Sequence, residues 1–248
     1  MLPMNRRFVL AAALPLLLAL TAAAPRKALT HRAPPPPPEI PLADSVRVTM
    51  TTELGPIVLD LDGKHAPITT ANFLRYVDLK RFDGIVFYRA MHLDWGTPPN
   101  GLVQAGLRGD VRKILKPIAH EPTSQTGVLH KAGTISMARF APGTATADFS
   151  IMLSDMPGLD ANPEATDPDV QAGYAAFGQV VEGMDVVRRI WDAPLSPTAG
   201  EGGLKGQMLE KPVKVLTVRR APVAVATAPI SPPLPNPPLS NAPQPPRP

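Results

Sequence analysis

FYRAMHLDWGTPPNGLVQAGLRGD, residues 87–110, decides how this chain is read. It opens on Phe87-Tyr88-Arg89, crosses a loop holding Trp95, Gly96, Pro98, Pro99 and Gly101, and closes on Gln104-Ala105-Gly106. An Arg and a Gln on either side of one loop can aim two hydrogen-bonding forks into a shared groove. Taken alone, Arg89 reads as a solvated strand residue. What shifts the balance is the company it keeps downstream: Gly133-Thr134-Ile135-Ser136-Met137-Ala138-Arg139, then Asp148-Phe149-Ser150-Ile151, then Ala176-Phe177-Gly178-Gln179-Val180-Val181.

Upstream, Val46, Val48 and Met50 alternate with polar residues, and Ile57, Leu59 and Leu61 do so again after the turn signal Glu53-Leu54-Gly55-Pro56, the pattern of a hairpin. Pro67 suits the first turn of a helix that carries Phe73, Leu74 and Val77 and stops near Arg81. His65, just before it, has no second His at ligand spacing and reads as an exposed loop residue. Strands are expected at 85–90, around Ile135 and Met137, at 149–153 and at 174–181, with a second helix over 182–191. On a last strand, Val213, Val215 and Thr217 face one way, Leu216 and Val218 the other. Residues 155–173 read as a long polar loop, and the Gly-rich stretch 200–206 as a flexible one. Seven or eight short strands with two helices fit a closed antiparallel barrel; the pattern alone equally allows a sandwich.

The ordered motifs resemble those of the cyclophilins, peptidyl-prolyl cis/trans isomerases, over about residues 46–220. The resemblance implies a mainly β fold, a closed eight-stranded antiparallel barrel capped by two helices, and rotation about X–Pro peptide bonds. That chemistry calls for no nucleophile, metal or cofactor; the protein must hold the twisted amide better than either planar form. The resemblance places Arg89 as the charged donor to the prolyl nitrogen and Gln104 as the holder of a neighbouring carbonyl. Phe87, Leu102, Val103, Ala138, Arg139, Asp148, Phe149, Leu159 and Tyr174 are expected to bind the substrate. Several positions depart from the family pattern. Ser150 stands where a second Phe is usual, and Gly158 where an aromatic ring is usual. Gly101 likewise replaces an aromatic. Weaker activity than a typical member follows, as does poor binding of cyclosporin-type macrocycles. Trp95, in a lengthened loop, either replaces a lost ring or packs its own loop. A catalytically weak or inactive module that binds Pro-containing segments is the alternative.

Composition narrows the other classes. The net charge of +4 over 248 residues, without a basic run, gives no sign of nucleic-acid binding. With no cysteine, disulfides, thiol nucleophiles and Cys-ligated zinc are excluded. His120, His130, Ser136, Asp148 and Asp155 supply the residue types of a hydrolytic triad, but no G-x-S-x-G or H-E-x-x-H motif organises them. Arg6 and Arg7, the apolar run 8–20 and small residues to Ala24 read as a secretory signal peptide over 1–23, hence export to the periplasm. An uncut N-terminal anchor is the competing reading, and the one contact with membrane that is expected. Residues 24–45, with Pro34–Pro38, form a Pro-rich linker, and 221–248 a Pro-rich disordered tail. The expected partners are proline-containing polypeptide clients of a monomer.

Overall fold

The computed structural model describes residues 42–96 and 100–221. The signal-peptide reading, most of the linker and nearly all of the tail lie outside the described residues. Eight strands carry the fold: β1 (Ser45–Thr52), β2 (Gly55–Asp62), β3 (Val86–His92), β4 (Gly101–Gly106), β5 (Thr134–Met137), β6 (Phe149–Met152), β7 (Ala176–Glu182) and β8 (Met208–Arg220). They close into a barrel in the order β1-β2-β7-β5-β6-β4-β3-β8, every pair antiparallel. Closure leaves no unpaired edge, so the barrel, not a sandwich, is the outcome.

Burial follows strand alternation. Val48, Met50, Ile57, Leu59 and Leu61 point inward and are wholly buried. On β8 the simple alternation fails. The register with β1 slips so that Thr51 faces Thr217 while Thr52 faces Val215, leaving Leu216 as an extra residue. The bulge turns Val218 inward beside Val213 and Val215 and leaves Leu216 exposed. At the same seam Val48 faces Arg220, so β1 begins where β8 ends.

Helix α1 (Pro67–Asp78) starts on Pro67 without a capping side chain of its own. The buried Glu121 carboxylate, some fifty residues along the chain, accepts from the Ile68 and Thr69 N–H groups (3.1 and 2.6 Å) and from the Thr69 hydroxyl. It satisfies orphan donors and places a negative group at the helix N-terminus. The helix drives Phe73 into the core, where its ring lies 4.8 Å from Phe82, 5.4 Å from Phe149 and 5.5 Å from Phe177. Three further helices follow: α2 (Thr123–Thr126), α3 (Pro168–Ala172) and α4 (Met184–Trp191). Helix α3 interrupts the stretch read as polar loop, its Asp167 accepting from the Asp169 and Val170 N–H groups. Helix α4 packs on β2, β3 and β4, and its Trp191 indole N–H donates to the Met91 carbonyl at 2.8 Å.

Candidate functional site

The outer face of β3, β4, β6 and β5 carries a row of polar side chains in register: Arg89 opposite Gln104, Gln104 opposite Ser150, Ser150 opposite Ser136. Unbroken alternation from Phe87 would send Arg89 to the same side, into the core. It does not, because the register slips between them. Phe87 faces Ala105 and Val213, whereas Arg89 faces Gln104 and Met208, with Tyr88 the extra residue. This bulge re-aims the guanidinium outward.

The next row on this face is apolar: Met91 opposite Leu102, Leu102 opposite Met152. Leu102, Met152 and Met156 form a buried cluster of their own, with Met91 and Leu159 packed against it. Both rows floor a groove of 220 Å³, whose lining also includes Ala138, Arg139, Leu159 and Tyr174.

Six of the residues expected at the site therefore converge with Arg89: Gln104, Leu102, Ala138, Arg139, Leu159 and Tyr174. Four do not. Phe87, Val103 and Phe149 are fully buried on the inner face, because each is paired in the register that points into the barrel. Asp148 lies behind the groove, accepting from the Arg108 N–H at 3.0 Å and from the Tyr88 hydroxyl at 3.4 Å. Burial pushes its carboxyl above the ordinary value against the pull of the Arg108 and Leu107 N–H groups. A Cβ at Gly106 would overlap that carboxylate, which gives the glycine of the Gln-x-Gly motif its reason.

The departures from the aromatic pattern also resolve. Ser150, not Phe149, faces the groove. Trp95 is 57% exposed and is not among the lining residues, so it replaces no ring. A side chain at Gly101 would meet the Met91 carbonyl and the Trp191 indole. The apolar surface is supplied instead by Met91, Met152 and Leu102. Of these the sequence reading found only Leu102; Met91 and Met152 are strand residues that alternation alone does not mark as lining a groove.

The two arginines of the groove differ in what they have left to offer. Arg139 is almost entirely buried and all five of its N–H donors are engaged: Nε and Nη2 with the Gly173 carbonyl (3.0 and 2.6 Å), Nη1 with the Phe140 carbonyl and the Asp169 carboxylate, Nη2 also with the Asp169 carbonyl. Its guanidinium stacks 4.6 Å over the Tyr174 ring. It builds the wall. Arg89 donates through Nη1 to Gln104 Oε1 at 2.8 Å and through Nε and Nη2 to Gln207 Oε1 at 2.9 and 2.6 Å. Its remaining contact is Nη2 to the Met91 sulfur at 3.5 Å, a weak acceptor, so one Nη1 hydrogen has no partner among the described residues. Burial pulls its pKa below the ordinary value while Tyr88 and Tyr174 oppose the shift; a guanidinium stays protonated near neutrality.

Below the floor, His130 Nδ1 lies 2.7 Å from Asp160 and Nε2 lies 2.8 Å from Ser136 Oγ. This is a hydrogen-bonded Asp-His-Ser row, assembled from His130 and Ser136 of the hydrolase reading but with Asp160 in place of Asp148 or Asp155. Ser136 is 2% exposed, and the neighbouring Met137 and Ala138 N–H groups are spent on the Ala175 and Asp148 carbonyls. The two backbone donors that follow Ser136 are therefore not free to hold an acyl-transfer oxyanion. The row ties the wall residue preceding Asp160, Leu159, to the floor.

A wider depression of 650 Å³ lies on β2 and β7. Two of its carboxylates are engaged, Asp60 with Arg47 and Asp62 with His65, both at 2.8 Å.

Comparison with known proteins adds three findings. The family model described as cyclophilin type peptidyl-prolyl cis-trans isomerase/CLD matches residues 47–220. A peptidyl-prolyl cis-trans isomerase of Acinetobacter baylyi is 34% identical over 176 residues, covering 69% of this chain and 84% of that protein; peptidyl-prolyl cis-trans isomerase B of Escherichia coli is 34% identical over 145 residues, covering 58% and 82%. The crystal structure of a cyclophilin type peptidyl-prolyl cis-trans isomerase of Cryptosporidium parvum superposes with a TM-score of 0.56 at 16% identity, covering 71% of this chain and 98% of that one, a likeness of fold.

Proposed function

Since the chain belongs to the cyclophilin-type peptidyl-prolyl cis-trans isomerase family, we propose that the groove over β3, β4, β6 and β5 is its active site, catalysing rotation about X–Pro bonds. The observation that carries this is the pairing of Arg89 and Gln104, 2.8 Å apart on one outer face beside an apolar floor. Rotation must cross about 18–20 kcal/mol because amide resonance is lost at the perpendicular geometry. In that geometry the prolyl nitrogen regains a lone pair, and the unspent N–H of Arg89 can donate to it. Gln104 turns its carbonyl oxygen to Arg89, which leaves its NH₂ to hold the neighbouring peptide carbonyl. The pyrrolidine ring rests on Met91, Leu102, Met152 and Leu159 while the rest of the peptide turns.

Arg89→Ala tests the assignment on an X–Pro peptide. Loss of one preorganised donor costs about 2.7–4 kcal/mol in other enzymes, or roughly 10²–10³-fold in kcat. An unchanged rate would instead favour the binding-module reading. With Ser150 and Gly158 offering no ring, the groove grips proline through flexible thioether and aliphatic surface, which supports activity below that of an aromatic-floored relative.

The N-terminal sequence supports the second part of the reading, that the clients are exported proteins met in the periplasm and folded there. The charged start, the short apolar run and Thr21-Ala22-Ala23-Ala24 are its basis. Fractionation of cells making the full-length chain tests it: recovery in the cytoplasmic fraction at full length would overturn export.

A further inference from the structure

Arg89 is held more firmly by Gln207 than by Gln104. Two of its donors, Nε at 2.9 Å and Nη2 at 2.6 Å, converge on the single Oε1 of Gln207. The amide of Gln207 cannot turn over without loss, because its Nε2 donates to the Gly203 carbonyl at 2.9 Å. Its backbone is fixed on both sides as well. The Gln207 carbonyl accepts from the N–H of Ala90, the residue after Arg89, at 3.0 Å, and the Gln207 N–H donates to Leu204 at 3.1 Å.

The Gly-rich stretch before it is not an open connection. Leu204 N–H donates to Glu201, Lys205 to Gly202 and Gly206 to Ala199, around a short 3-10 turn at Gly202–Leu204. Gly200 and Gly206 adopt φ of +95° and +77°, and a Cβ at Gly200 would overlap the Leu204 carbonyl. The loop therefore presents one carbonyl, that of Gly203, at the place that orients the Gln207 amide.

All three acceptors on Arg89 are neutral: two carboxamide oxygens and a thioether. No carboxylate pairs with it among the described residues. A carboxylate at 207 would grip the same edge but cancel the charge that the reaction uses. An amide grips without cancelling.

We propose that Gln207, set by the 200–206 loop, is the positioning residue for Arg89: it fixes the Nε/Nη2 edge so that the opposite edge faces the peptide, and leaves the charge intact. This rests on the reading of Arg89 as the charged donor. The test uses the full chain and a double-mutant cycle, with kcat and KM on an X–Pro peptide for wild type, Arg89→Ala, Gln207→Ala and the double variant. Gln207→Ala lowers kcat roughly 10- to 100-fold with KM little changed. In the Arg89→Ala background the same change does nothing further, because the residue acts through the guanidinium. Gln207→Glu, which keeps an acceptor for the Nε/Nη2 edge but gives up the donor to Gly203 and adds a charge, lowers kcat at least as far as Gln207→Ala. In wild type the Arg89 Nε–H gives a slowly exchanging NMR signal that Gln207→Ala abolishes.

An Arg89→Ala rate equal to wild type ends both the Arg89 reading and this one. A fall for Arg89→Ala with a wild-type rate for Gln207→Ala overturns the positioning alone, as does an equal loss from Gln207→Ala in both backgrounds, which marks a structural role. Wild-type activity in Gln207→Glu overturns the role of the neutral acceptor. A freely exchanging Arg89 Nε–H overturns the grip even if no variant folds.

Discussion

One proton decides how three side chains beneath the groove hold together. His130 is buried, and that burial pulls its pKa below 6.5, while Asp160 opposes the shift. Near neutrality the ring is therefore uncharged; Nδ1–H donates to Asp160 and Nε2 accepts from the Ser136 hydroxyl. A folded pKa below the unfolded one means that the unfolded chain binds the proton more readily. The stabilisation is complete above about pH 6.5 and is lost as pH falls through the depressed folded value. Thermal midpoints should decline as pH falls below about 6.5 in wild type and decline less in His130→Gln. Equal slopes would remove His130 from the account. The depressed carboxylates, such as Asp60 and Asp83 beside their arginines, lose their share only at lower pH. Ser150 offers the complementary test at the floor. A Phe there faces outward between Gln104 and Ser136 and regains ring contact with proline. Burying such a ring is worth about 1.5–3 kcal/mol, so KM for an X–Pro peptide should fall at least about tenfold in Ser150→Phe. A KM that rises would show that the pocket has no room for it.

Among the elements, α1 is tied into the barrel core through Phe73. This ring is 1% exposed and meets three other rings from different parts of the chain. Phe73→Ala should cost about 3–5 kcal/mol, read by urea unfolding with an unchanged m-value. A loss under about 1 kcal/mol would mean the core collapses around the gap. The hairpin, both long helices and seven of the eight strands were legible from alternation, from Pro67 and from turn residues, most of them to within a few positions at the ends; β4 was not, because Gly101–Gly106 opens and closes on glycine and shows no apolar alternation. Two departures share one cause, the β-bulge. Alternation put Phe87 and Arg89 on one face and Thr217 with Val213 and Val215; an extra residue at Tyr88 and at Leu216 separates them. Such an insertion leaves no trace in hydrophobic periodicity, because the residues themselves remain good strand formers. Gln207 was missed for another reason: its partner Arg89 lies 118 residues away, beyond the reach of local spacing.

For the whole molecule, the barrel is closed by its first and last strands. Val48 faces Arg220, and the Ala221 N–H donates to Arg47 at 2.8 Å. A chain reduced to residues 42–221 keeps each of these rungs and should match the full chain in isomerase rate and in thermal midpoint. A chain ending at Val215 loses the pairing of Val48 through Thr51 and should unfold at markedly lower temperature. A stable shorter chain would show that closure is dispensable.

The same seam sets how the domain yields to force. Its two ends leave the barrel side by side, at the Arg47–Ala221 rung, so tension between a held N-terminal segment and a pulled C-terminal one loads that rung first and each next rung only after it has broken. Strands peeled in this way separate one bond at a time, whereas strands dragged lengthwise resist with all of their bonds together. Held by its two extremities, the barrel is a mechanically soft object, one that a pulling machine can open from the Arg47 end without having to shear its ladder as a block.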